Sequence, residues 1–240
     1  MRRPHPNLPA YYEDAEGERR FVGRLFDASA GDYDRVDRVL AFGTASRYRR
    51  GALLRGGLGA GMRMLDVAVG TGLVAKEALR IVGAQGSVTG IDPSAGMMSA
   101  VGAGLPLVRG RAESLPFSAA SFDFVALGFA LRHLSDLDCV FGEFRRVLRP
   151  GGRLLVLEIT RPEGRVARAL LRAYMRGVVP LVAGWIGRSR QTPALYRYYW
   201  DTIEACVPPA QVMASIAAAG FRGARRVLTL GIFSEFGAIA

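Results

Sequence analysis

The stretch Met64-Leu65-Asp66-Val67-Ala68-Val69-Gly70-Thr71-Gly72 constrains this chain more than any other. An apolar run suited to a buried strand passes into a glycine turn, and a helical pattern begins at once. Gly70 and Gly72 let the backbone approach a ligand closely, and the helix start behind them offers free N–H groups to an anion.

The alternation continues along the chain. The pattern predicts strands over Met62–Val69, Gly86–Asp92, Leu105–Arg109, Phe122–Gly128 and Arg153–Ile159. Helices are predicted over Thr71–Val82, Ser94–Ala103 and Ser135–Leu148, with Ser94 as a cap and Pro150-Gly151-Gly152 as a stop. A mostly helical stretch from Arg165 to Thr202 follows, then a helix over Pro208–Ala219 and strands over Arg225–Leu230 and Ile232–Ala240. This order implies an α/β fold with a doubly wound, mostly parallel sheet, whose ligand sits beyond the carboxyl ends of the strands. Residues 1–58 read as a helical cap segment, Pro-rich and then charged over 1–20 with a poorly ordered start, and made of short helices from Phe21. Residues 59–240 read as the main domain, with a helical lid insertion at about 164–202.

The 240 residues, 50% of them hydrophobic, support one full core. The net charge of +11 is carried almost wholly by arginine, with Lys76 the only lysine, and favours anionic partners. Cys139 and Cys206 fit neither a disulfide framework nor a metal-ligand spacing, so no metal site is expected. The N-terminus lacks the apolar region of a secretory signal, and no run of about 18 apolar residues is present to span a membrane. The expected location is the cytoplasm, with association to a membrane surface as an added option.

Two cofactors compete for the glycine turn. Gly70-x-Gly72-x-x-Ala75, with Asp92 20 residues beyond Gly72, fits a dinucleotide fingerprint. Asp66, near the end of the first strand, argues otherwise: its charge would oppose a diphosphate and favour the ammonium and sulfonium of S-adenosylmethionine (SAM). Asp92, at the end of the second strand, suits a pair of ribose hydroxyls. Met97 or Met98 on the next helix suits an adenine face. SAM is the favoured reading, and a nicotinamide-linked reductase stays open as the alternative.

Further stretches resemble the ubiquinone/menaquinone biosynthesis C-methyltransferases, the UbiE family of class I SAM-dependent methyltransferases. They include Phe26-Asp27-Ala28-Ser29-Ala30-Gly31-Asp32-Tyr33-Asp34, Leu40-Ala41-Phe42-Gly43 and the glycine turn itself. Ala112-Glu113-Ser114-Leu115-Pro116-Phe117, Gly128-Phe129-Ala130-Leu131-Arg132-His133 and Arg146 to Glu158 match as well. The resemblance implies a seven-stranded, Rossmann-like sheet whose last pair is antiparallel. It implies methyl transfer to a ring carbon of a prenylated quinol precursor. It also implies SAM contacts at Asp66, Gly70, Asp92, Met97 and the Arg111–Ala112 pair, to which Ala68, Thr71, Gly72 and Gly128 are added from the loop and the fourth strand. The chain departs from the family at His133 and Asp37, both usually Asn, at Val69, usually Gly, and at Arg111, often Asp or Asn.

His133 leaves the fourth strand on the cofactor side and is the candidate general base. Arg132 is the candidate for stabilising a phenolate or orienting a water, and Tyr33 for lining the acceptor pocket. Arg165, Arg168, Arg172 and Arg176 form one helical stripe in a stretch without acidic residues from Gly164 to Trp200, beside Val166, Leu170 and Tyr174. That is the pattern of a helix on an anionic membrane, where a lipophilic aromatic acceptor would be met. Methylation of oxygen or nitrogen on another metabolite, and a non-catalytic SAM-binding subunit, remain alternatives. Nucleic acid is excluded as a partner because no Asn/Asp-Pro-Pro-aromatic signature accompanies the basic surface. The oligomeric state stays open.

Overall fold

Burial dictates the strands. In β1 (Arg63–Val67) and β4 (Phe122–Gly128) nearly every residue lies between two helical layers, as in strands covered on both faces. The computed structural model describes residues 2–41 and 43–240; Phe42 of the Leu40–Gly43 match lies outside the described residues. Seven strands form one sheet in the order β3-β2-β1-β4-β5-β7-β6. β2 (Ser87–Asp92), β3 (Leu107–Arg109) and β5 (Leu148–Ile159) run parallel with β1 and β4. β7 (Phe233–Ile239) is antiparallel to both β5 and β6 (Arg222–Thr229). β2 lies on one side of β1 and β4 on the other, so a crevice opens above the carboxyl ends of β1 and β4.

The pleat of β4 divides the core. Phe124 and Ala126 face the layer of α2 (Ala45–Gly56) and α3 (Leu73–Val82), where Leu53, Ala75 and Ala78 are buried. Val125 and Leu127 face α5 (Leu137–Val147) and α9 (Pro209–Ala218), where Phe141, Phe144 and Ile216 are buried. The helix after β2 is a short α4, Ala95–Ser99, rather than a run to Ala103. α5 ends at Val147, and β5 starts at Leu148 because that residue pairs with Phe122.

The N-terminal region differs from expectation in two ways. Residues 15–40 form one helix, α1 (Ala15–Leu40), instead of several short ones. Asp14 caps it by accepting from the Gly17 amide at 2.6 Å, and Glu16 and Glu18 complement its positive end. Gly23 and Gly31 break the sequence pattern, but Leu25 and Val36 bury against a cluster with Val179, Leu195 and Trp200. Asp32 ties α1 to α8 (Thr192–Ala205), accepting from the Arg188 and Ser189 amides at 2.8 Å and from Thr192 Oγ1 at 2.9 Å. Burial alone would raise this carboxyl; the three donors prevail and hold it below its ordinary range.

Secondly, the start of the chain is docked. The Arg2 amide donates to Asp136 at 3.0 Å, the Leu137 amide to Arg2 O at 2.9 Å, and the Val207 amide to Pro4 O at 2.7 Å. His5 is buried. Proline-rich composition hides such a strap, because every one of these bonds goes to a distant segment.

Between β5 and α8, α6 (Arg165–Ala173) and α7 (Val179–Ile186) join through a π-helical turn at Tyr174–Val178. The resulting 22-residue run Arg165–Ile186 reaches the length and composition of a membrane span, against the expectation that no segment does. Met175, Val179 and Ala183 nonetheless seat one side of it in the cluster around α8.

Candidate active site

A cavity of about 450 Å³ opens above β1 and β4, inside the range of roughly 300–1,000 Å³ usual for small-molecule sites. Ala68, Gly70 and Thr71 form its floor, with Asp92 and Met97 from β2 and α4 alongside. Arg111, Ala112 and Gly128 line it further up, and Tyr33 and His133 stand at the far side. Asp66, Gly72 and Arg132 do not line it.

The floor is shaped by left-handed backbone at every second residue: φ is +54° at Ala68, +55° at Gly70 and +80° at Gly72. Glycine adopts this freely, but at Ala68 it is strain held in place by the surrounding fold, as is common at binding sites. Gly72 thus acts through its backbone, starting α3. Asp92 fixes the turn: Oδ2 accepts from the Gly70 amide at 2.9 Å and Oδ1 from the Ser94 amide at 2.8 Å. Each oxygen keeps a lone pair for a ligand. Burial raises this carboxyl above its ordinary value. Val69 is accommodated by Gly90, where a Cβ would fall 2.9 Å from Val69 Cγ2. Gly128 lets α3 lie close to β4, since a Cβ there would stand 2.8 Å from Val74 Cγ2.

Asp66 requires a correction. Its side chain is 1% exposed and, among the described residues, neither oxygen has a hydrogen-bond partner. Burial first, and Asp92 next among the causes that raise it, push its pKa up to about 8, against the nearby Ala75 amide and Arg49. The group is therefore a mostly protonated acid beneath the turn, not an anion at the mouth of the cavity.

Besides Asp92, the carboxylates at the turn come from α1. Asp27 accepts from the Gly96 amide at 2.9 Å and from Ser94 Oγ, capping α4 from outside. Asp34 accepts from Thr71 Oγ1 and sits 3.5 Å from Lys76 Nζ. Sequence reasoning assigned neither residue a role. Their spacing of seven places both on one face of a continuous helix, a signal lost when α1 is read as short pieces.

The far side of the cavity is aromatic. His133 stacks on Tyr198 at 5.6 Å and meets Phe26 edge-on at 5.3 Å. Both its ring nitrogens are buried without partners among the described residues. Burial, Arg132 and His5 hold its pKa well below the usual 6.5, so the imidazole is neutral. Tyr199, also missed, lines the cavity and donates to Tyr33 Oη at 3.1 Å. Arg132 is 1% exposed, paired with Glu158, and lies 4.6 Å from the Tyr199 ring centre. It cannot touch an acceptor; it positions Tyr199. Arg49 of α2, which sequence reasoning also missed, does line the cavity and is held by Asp37 at 2.6 and 3.1 Å.

These residues fit SAM. Asp92 offers free lone pairs at the end of β2, and Met97 lies 4% exposed beside the turn. Asp27 and Asp92, which line the cavity at the turn, place carboxylates where the cation of SAM would lie.

Comparison with known proteins agrees. The profile of the ubiE/COQ5 methyltransferase family matches residues 13–239. A ubiquinone/menaquinone biosynthesis C-methyltransferase UbiE of Syntrophotalea carbinolica is 38% identical over 222 residues, 88% of this chain and 91% of that protein. A demethylmenaquinone methyltransferase of Thermus thermophilus is 35% identical over 218 residues, 87% of this chain and 96% of that one. A solved SAM-dependent methyltransferase of Thermotoga maritima, described as a possible histamine N-methyltransferase, shares the fold. Its TM-score is 0.63 at 20% identity, over 90% of this chain and 98% of that one. The reductase and the non-catalytic readings are thereby set aside. The turn that holds the donor and the sequence that encodes it lead to one conclusion: the chain belongs to the ubiE/COQ5 methyltransferase family and is an S-adenosylmethionine-dependent methyltransferase.

Proposed function

We propose that the enzyme methylates a ring carbon of a lipophilic, quinol-like aromatic acceptor. The observation that carries this reading is the aromatic cluster of Phe26, His133 and Tyr199 that, with Phe129, lines the same cavity as the glycine turn. The two quinone-related relatives support it. The acceptor partitions into lipid, so the enzyme meets it at a membrane surface.

SAM supplies a methyl group already joined to a good leaving group. The residues of this chain do the rest. The aromatic lining holds the ring in line with the methyl, an alignment worth about 7–11 kcal/mol in favourable cases. A ring carbon becomes nucleophilic when its neighbouring hydroxyl loses a proton. His133, whose ring lines the cavity, is the group placed to take that proton, with a basicity held low by burial and by Arg132. Arg49 supplies positive charge to the same cavity for the phenolate, and the Tyr33–Tyr199 hydroxyl pair orients it.

The test is transfer of an isotopically labelled methyl group from SAM to a demethylated prenyl quinol, with the product mapped by NMR. Label on a ring carbon is expected, and His133→Ala should lower kcat by about 100-fold or more. Label on oxygen or nitrogen would overturn carbon methylation. Unchanged turnover in His133→Ala would overturn the base assignment.

A further inference from the structure

We infer that the outer side of the helical run Arg165–Ile186 is a docking surface for an anionic phospholipid bilayer. The inference stands on this surface alone and not on the identity of the acceptor.

α6 has no buried residue at all, an unusual condition for a helix in a folded chain. Val166 and Leu181 are each 75% exposed, Leu170 67% and Trp185 89%. Val166, Leu170, Tyr174 and Val178 recur every four residues on one side of the run. The π-helical turn at Tyr174–Val178 adds a residue there, and beyond it Leu181 and Trp185 remain exposed. Large apolar side chains held in water over six turns cost free energy unless something covers them.

Charge selects the occupant. No Asp or Glu occurs from Gly164 to Trp200. Arg168 is paired with Glu204, and Arg176 with Asp201 at 3.1 Å, but Arg165 and Arg172 make no ion pair among the described residues. A second copy seated face to face would oppose these arginines to one another. A plane of phosphate groups accepts them while the apolar row enters the acyl boundary, and Trp185 and Tyr174 are the side chains that favour such an interface. The run lies on the bilayer rather than across it. Its inner side is fixed to the protein by Met175, Val179 and Ala183, and four arginines occupy its first twelve residues.

Vesicle flotation tests this. The full chain should float with phosphatidylcholine vesicles that contain phosphatidylglycerol and not with phosphatidylcholine alone. Added salt should release it, and the emission of Trp185 should move to the blue on binding. Arg165→Gln with Arg172→Gln should weaken partitioning roughly 25-fold, about fivefold for each cation removed. Leu181→Ser with Trp185→Ser should abolish flotation while methyl transfer to a water-soluble acceptor continues, showing that the fold is intact. No flotation with anionic vesicles, or flotation untouched by both double variants, would overturn the inference. Self-association that is lost in the Leu181/Trp185 variant would reassign the surface to a second copy. A failure of the quinol assay leaves the flotation result unchanged, so the two readings fail separately.

Discussion

Asp66 shows how a site residue is legible in kind but not in state. The sequence places a carboxyl near the tip of β1, and the structure buries it without a partner. Side chains alternate along a strand, so one position decides between cavity and core, and the glycine turn does not say which. The adjacent pair Arg132 and His133 behaves likewise. In the tight turn Leu131–His133 consecutive side chains diverge by about a third of a turn, so only one of the two reaches the cavity. The buried acid makes a prediction about stability. In the unfolded chain Asp66 ionises near 3.8, and in the folded chain at about 8. Between these values the unfolded state has lost a proton that the folded state keeps, so stability falls as pH rises through that window and levels off above it. The slope is at most about 1.4 kcal/mol per pH unit. Asp66→Asn removes this term, so denaturant titrations should show the stability of the wild type falling relative to the variant from about pH 4 to 8. Parallel curves across that range would show that Asp66 is ionised in the fold.

Among the elements, the sheet was legible almost throughout. Strand after strand announces itself as an apolar run bounded by Gly or Pro, and the strands so predicted became β1 to β7. α1 was not legible, since its stability comes from packing on α7 and α8 and its glycines weaken the local pattern. With α1 fragmented, the link from Asp27 to α4 was invisible. That link has a measurable role. Asp27→Ala leaves the Gly96 amide and the Ser94 hydroxyl without their acceptor at the start of a five-residue helix that carries Met97. A lost cap costs about 0.5–2 kcal/mol, so calorimetry should show SAM binding weakened by roughly two- to thirty-fold. Binding as tight as in the wild type would remove α1 from the donor site.

At the scale of the molecule, the chain is closed by segments that no periodicity reveals. The strap from Arg2 to Asn7 reaches α5 and the start of α9 through the hydrogen bonds at Arg2 and Pro4, and Arg3 stands at the cavity beside Glu18. Deleting residues 2–7 removes three such bonds, at about 1 kcal/mol each, so the melting temperature should fall by roughly 6–12 °C. An unchanged melt would make the strap incidental. α8 has a wider consequence. Tyr199 looks into the cavity, while Asp201 and Glu204, less than two turns further on, grip the arginines of the outer run. One helix thus carries a ring of the acceptor wall on its inner edge and the handholds of the outer run on its other edge, and through Asp32 it is also tied to α1, the helix that braces the donor's turn.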